Sequence, residues 1–169
     1  MAHSPSGRDG RAPASALHKS DNLIEGQEGR ASVDEEQEQT QDEGQVSVLM
    51  EISKAMVGLY KEQFGRGPTK ARTHWAGPDT LICVLEETLT PAERNLVKMG
   101  EHQRLRDTRT FFQYATVREF CEPVEQITGR KVRAFQSSVD TEADGQAIEV
   151  FVLHPPGYDG PSRTAYASS

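Results

Sequence analysis

Apolar residues in the middle of the chain follow two different periods. Val48, Leu49, Ile52, Ala55, Met56, Leu59 and Tyr60 recur at spacings of three and four. That spacing predicts a helix with one apolar face over about Val46 to Phe64, and Gly65 suits the left-handed cap that ends it. From Thr69 to Trp75 the period drops to two. Thr69, Ala71, Thr73 and Trp75 share one face, and Lys70, Arg72 and His74 the other. The turn signal Ala76-Gly77-Pro78-Asp79 follows, then the β-branched apolar run Thr80–Glu86, so these two strands are expected to form a hairpin.

The next signal is local. In Leu89-Thr90-Pro91-Ala92-Glu93, Thr90 suits an N-cap, Pro91 the first helical position and Glu93 the far side of a capping box. A short helix should end near Met99-Gly100. A longer one is expected over about His102 to Ile127, with Leu105, Thr108, Phe112, Ala115, Phe120 and Val124 inward, Pro123 as a kink and Thr128-Gly129 as its close. Lys131–Ser137 alternates loosely, Asp144-Gly145 suits a hairpin turn, and Ile148–Leu153 is the strongest strand. The expected order is helix, strand, strand, helix, helix, strand, strand. Two hairpins imply an antiparallel four-stranded sheet with helices packed on one face, an α+β domain.

Composition sets the boundaries. Only 35% of the 169 residues are apolar, which suggests a compact part diluted by polar ends. Residues 1–44 hold ten acids and four bases, whereas residues 45–156 hold fifteen and fourteen. The first segment has too few aliphatic residues to offset chain entropy of about 1–2 kcal/mol per residue. It is expected to be a disordered acidic tail, with 45–156 as the folded domain. Residues 157–169, after Pro155-Pro156, read as a second disordered tail. The near-neutral middle argues against a strongly basic nucleic-acid domain. The longest apolar run, Leu81–Leu85, is far short of the ~20 residues of a membrane span. Residues 1–16 hold no apolar signal-peptide core. Cys83 and Cys121 are too few for a disulfide framework or a zinc site and read as buried thiols in a reducing cytoplasm.

Several stretches together resemble one family. They are Tyr60–Arg72 (YKEQFGRGPTKAR), Leu89–Arg94, Thr128–Val132 and Ile148–Leu153. In order and spacing they are similar to the MpsC-like domain family of bacteria, named for a proposed Na⁺-translocating, membrane-potential-generating system. The resemblance spans about residues 46–154. It implies a small component associated with membrane proteins that carry cations or inorganic carbon, cytoplasmic or peripheral to the inner membrane through a partner. It implies no reaction and no cofactor.

The candidate chemistry is cationic. Arg66, Lys70 and Arg72 cluster around the first strand and Arg130 lies before the third, while Gly65 and Gly67 would let backbone N–H groups approach a ligand. Gly65, Arg66, Gly67, Lys70, Arg72 and Arg130 are therefore the candidate anion- or partner-binding set. The plainer reading is a solvated sheet face with Gly65 as a helix cap. No phosphate-binding loop or dinucleotide fingerprint is present. His3, His18, His74, His102 and His154 are scattered, so no metal is expected. Strand-helix-helix-strand over 80–137 suggests a KH core, but Gly100-Glu101-His102-Gln103 lacks the second glycine of its loop. Glu119, Glu122 and Glu125 read as a solvated helix flank. The leading expectation is a non-enzymatic accessory or interaction domain for a Na⁺- or carbon-handling membrane system. A homodimer is expected from free sheet edges. A small-anion or nucleotide sensor is the alternative, and an enzyme ranks third.

Overall fold

The computed structural model describes the backbone of residues 25–166 and the side chains of residues 44–165. The chain divides into two units, Met1–Thr40 and Gln41–Ser169. Of the first unit, residues 25–40 are described and are helical. Residues 1–24, the rest of the expected acidic tail, lie outside the described residues.

Helix α1 runs Glu25–Phe64. Its last turns are the periodic segment read from the sequence, with Ile52, Met56 and Tyr60 fully buried. Its start differs from expectation, because residues 25–44, read as disordered, are helical. Hydrophobic periodicity reports a buried stripe, and this stretch is polar all round. Its Glu and Gln content supplies helix propensity without a stripe. Gly65 follows at φ +70° and caps the helix as predicted.

Strands β1 (Lys70–Trp75) and β2 (Thr80–Glu86) form the first hairpin, and β3 (Val132–Asp140) and β4 (Gln146–Leu153) the second. The hairpins join through antiparallel pairing of β2 with β4, so the sheet order is β1-β2-β4-β3. Asp144 and Gly145 turn the second hairpin at φ +54° and +71°, the paired positive values favoured by a tight hairpin turn. A Cβ on Gly145 would lie 2.2 Å from Leu89 Cγ, so that turn also needs glycine for space.

Between the hairpins lie α2 (Pro91–Lys98), α3 (His102–Ala115) and α4 (Val117–Thr128). The capping box is present as read. Glu93 N–H donates to Thr90 Oγ1 at 3.3 Å, and Thr90 N–H donates to Glu93 Oε2 at 2.7 Å. Thr90→Ala is expected to cost about 1 kcal/mol, measured as a lowered urea midpoint with unchanged slope. The single long helix expected over His102–Ile127 is two helices. The break falls at Thr116, whose hydroxyl donates back to Phe112 O at 2.8 Å and accepts from Gln63 Nε2 at 2.9 Å. Such back-bonding competes with the helix ladder. Pro123 lies inside α4 and does not end it.

One face of the sheet carries the core. Leu81, Cys83, Leu85, Phe135, Ala147, Phe151 and Leu153 meet Ile52, Met56 and Tyr60 of α1 and Val117, Phe120, Cys121 and Val124 of α4. Phe120, Phe135 and Phe151 form a continuous aromatic row, with centroids 5.2 and 5.1 Å apart. The fold is thus α+β, with an antiparallel four-stranded sheet. The C-terminal stretch differs from the loose tail expected. A 3₁₀ turn at Arg163–Tyr166 packs near α4 and β3. Ser162 and Thr164 are buried there, and Ser162 hydrogen-bonds Glu125 of α4. Two prolines stop the strand, as read from the sequence, but the chain beyond them finds polar anchors rather than apolar ones.

Candidate functional site

The second face of the sheet is the first candidate. Register sets its residues in rows across the strand order: Lys70, Glu86, Gln146, Asp140; then Arg72, Val84, Ile148, Ser138; then His74, Ile82, Val150, Gln136. Thr80, Val152 and Ala134 continue it at the far end. Ile82, Val84, Ile148, Val150 and Val152 are partly exposed, and none belongs to the core cluster that the helices complete. Strands buried on both faces read as near-continuous apolar runs. The central strands β2 and β4 have that composition, yet the helices' buried side chains join only one of their faces.

Helix α3 supplies the second candidate. Its buried row is Leu105, Arg109 and Gln113. The expected inward residues Thr108, Phe112 and Ala115 face out instead. Phe111 is 70% exposed, Phe112 49% and Tyr114 51%. The two phenyl rings touch edge to face at 5.9 Å. This inversion follows from Arg109. Its side chain is 1% exposed, and it is held by a forked pair to Glu93, with Nε to Oε1 at 2.5 Å and Nη2 to Oε2 at 2.7 Å. Nη2 also donates to Thr88 O at 2.9 Å, and the guanidinium lies 3.9 Å over the Phe64 ring. A bidentate charged pair with a second acceptor and an aromatic face outweighs the apolar pull of Phe111 and Phe112. Burial works against the Glu93 carboxylate, but hydrogen bonds from Arg109 and Thr90 and the Arg109 charge outweigh it and hold its pKa below the usual range.

The third feature is a buried carboxylate that sequence reasoning missed. Glu149 points from β4 into the core with no exposure, and it accepts from the Tyr60 hydroxyl at 2.6 Å. Its register neighbours on that face are Cys83 of β2 and Ser137 of β3. Burial pushes its pKa up to about 7, against the downward pull of the Tyr60 hydrogen bond and the Arg109 charge. Burial and then Glu149 raise the Tyr60 phenol well above its ordinary value. Glu149 Oε2, Ser137 Oγ, Gln113 Nε2 and Arg109 Nη1 are all buried without a hydrogen-bond partner. The signal was visible in Ile148-Glu149-Val150-Phe151-Val152-Leu153, because strict alternation gives Glu149 the same face as Ala147 and Phe151.

The structure disperses the cationic set. Lys70 and Arg72 stand together on the second sheet face, both against Glu86, at 3.6 and 2.5 Å. Arg66 turns to the start of the β2–α2 connection, donating to Leu89 O at 2.9 Å and lying 3.8 Å from Glu87. Gly67 packs under the end of α1, where an added Cβ would lie 3.4 Å from Val57 O. Arg130 sits at the opposite end of β1, donating to His154 O and Pro78 O at 2.9 Å each and lying 5.9 Å over Trp75. It borders a groove of about 540 Å³ that Trp75 and Val48 also line. Gly65, Arg66, Gly67, Lys70, Arg72 and Arg130 therefore do not converge on one point.

Cys83 and Cys121 are buried free thiols. Burial pushes them up to about 11 and about 12, so neither is a thiolate nucleophile at neutral pH. Among the described residues no group of three or more His, Cys, Asp or Glu side chains is placed to hold a metal. No described helix is long and apolar enough to cross a membrane.

This is a single-sheet α+β domain whose helices cover one face and whose second face and helix α3 present apolar side chains to solvent. Residues 44–155 match the family model described as "Na+-translocating membrane potential-generating system (MpsC)". The match covers more than half of the chain, and the chain belongs to this family. Its description ties the domain to a Na⁺-translocating membrane system. No curated protein and no solved structure matches the chain.

Proposed function

We propose that the chain is a non-enzymatic accessory domain that docks onto a protein subunit of a Na⁺-translocating membrane system from the cytoplasmic side. The observation that carries this reading is the outward aromatic row of α3. Phe111, Phe112 and Tyr114 are about half exposed or more, on a helix whose inner side is filled by a charged pair. Neighbouring exposed aromatics are the side chains that anchor protein interfaces when a pocket covers them. The family's tie to a membrane system supplies the class of partner, an apolar groove on a water-facing part of that system. The candidate cations are engaged by Glu86, Glu87 and backbone carbonyls, which favours contact over anion capture.

Capture of the tagged full chain from its native cells, with membrane proteins solubilised and identified, tests this. Phe111→Ser combined with Tyr114→Ser is expected to reduce recovery of one membrane subunit at least tenfold, with the fold intact by circular dichroism. A subunit recovered equally by both forms, or no membrane subunit recovered by the unaltered chain, overturns the reading.

A further inference from the structure

We propose that the second face of the sheet is a homodimer interface, in which two copies pack sheet on sheet about a two-fold axis parallel to the strands. The inference goes beyond the accessory role and does not rest on it. The rows across the face are self-complementary under that one operation. A two-fold axis along the strands keeps each row at its level and reverses its order. Lys70 of one copy then lies over Asp140 of the other, and Glu86 over Gln146. Arg72 lies over Ser138, Val84 over Ile148, His74 over Gln136 and Ile82 over Val150. The apolar residues of the two middle rows, Ile82, Val84, Ile148 and Val150, meet one another, Val152 lies over Thr80, and the basic edge of β1 meets the acidic end of β3. An axis in the same plane but perpendicular to the strands sets β1 over β1 and β3 over β3, so Lys70 and Arg72 of both copies crowd one edge while both Asp140 carboxylates lie at the other.

The charges on the face itself support the choice. Lys70 and Arg72 are matched by Glu86 and Asp140, so two copies meet without net repulsion. Asp140 Oδ1 accepts from the N–H groups of Glu142 and Ala143 at 2.9 and 3.2 Å, which fixes the carboxylate at the end of the row. A closed two-fold pair of this kind is isologous and does not propagate. Aligned sheet packing with interdigitating branched side chains is the usual way such a face is buried.

Size sets the strength. Four strands about 4.8 Å apart and about six residues long at ~3.3 Å each give a planar footprint of about 400 Å². That is under the ~800 Å² per partner of a standard interface, so the dimer is expected to be concentration-dependent, in the micromolar range.

The test combines sedimentation velocity of the full chain with zero-length carbodiimide crosslinking. Within one copy Lys70 and Asp140 are three strand spacings apart, about 14 Å, which a zero-length link cannot bridge. Lys70–Glu86 is the internal positive control. The expected result is a monomer–dimer equilibrium, a Lys70–Asp140 linkage in the dimer band, and at least tenfold weaker association for Val150→Lys. Val150 is partly exposed and outside the core. The crosslink readout stands even if that variant folds poorly. Monomer at all concentrations up to several hundred micromolar overturns the proposal. So does a dimer with no Lys70–Asp140 link, or linkage of residues 1–24 to the face within a monomer. Failure here leaves partner capture through α3 untouched, because the two tests alter different surfaces.

Discussion

Arg109→Ala is expected to destabilise the domain by about 3–5 kcal/mol, the range for breaking one side of a buried ion pair. The side chain is 1% exposed and the partner carboxylate 16%, so water does not readily replace the lost contact. Truncation removes the fork to Glu93, the bond to Thr88 O and the stack on Phe64, and leaves a void under α3. It also leaves Glu93 partly buried without its counter-charge. Arg109→Met separates these effects. It fills most of the volume, so a similar loss would assign the cost to the stranded carboxylate, and a much smaller one to the cavity. Adding Glu93→Gln to Arg109→Met should then recover part of the loss, since removing both charges costs less than removing one. Urea denaturation of Arg109→Met, Glu93→Gln and the double variant, each against the parent, measures the coupling. Acid dependence gives an independent readout. The depressed Glu93 pKa contributes stability above the unfolded value of about 4.5 that is lost as pH falls through the folded value. That acid-side loss should vanish in Arg109→Ala. Destabilisation within 1 kcal/mol of the parent would remove Arg109 as the organising residue of α2 and α3.

The same residue explains where sequence reading failed on α3. Assigning a helix face by apolar period puts Phe112 and Ala115 inside, because the method counts hydrocarbon. The actual inner row is Leu105, Arg109 and Gln113, whose burial depends on partners from α2 and α1 that are remote in sequence. Local signals did better. The Thr90–Glu93 capping box, the Gly65 cap, the β2 run and the Asp144-Gly145 turn each depend on residues within a few positions of one another, and each is present. Strand order was not legible, because β2–β4 pairing joins segments with three helices between them. The break at Thr116 was masked by Pro123, the louder helix-breaking signal. The uncovered sheet face was legible in principle from two apolar sides of β2 and β4, but a doubly buried strand has the same composition. Alternation places Lys70 and Arg72 on one face, where the register has them. Arg66 and Arg130 are near them only in sequence proximity to strand ends, which says nothing about direction, and they turn to backbone carbonyls elsewhere.

Glu149→Gln is expected to flatten the pH dependence of stability between about pH 4.5 and 7 and to stabilise the domain at pH 8. The ordinary pKa is 4.5 and the folded one is about 7. Over that interval the unfolded chain is ionised while the folded carboxyl stays protonated, so the native state binds the extra proton. Stability from this group is therefore complete below about pH 4.5, falls as pH rises toward 7, and levels off once the buried carboxyl also ionises. A shift of that size corresponds to roughly 3 kcal/mol across the interval, at about 1.4 kcal/mol per pH unit. The groups facing Glu149 do not produce the same slope. The Tyr60 phenol, raised well above its ordinary value by burial and then by Glu149, stays neutral through the window, and the Cys83 thiol, pushed by burial to about 11, does not titrate there. Glutamine keeps an oxygen to accept from Tyr60 and offers an N–H toward the unpartnered Ser137 hydroxyl. The variant should match the parent within about 1 kcal/mol near pH 4.5 and exceed it by about 2–3 kcal/mol at pH 8. Chemical denaturation of both forms at half-unit steps from pH 4 to 8.5 measures the difference. Parallel curves would mean that Glu149 ionises freely in the fold, and that the core around Tyr60 admits enough water to solvate it.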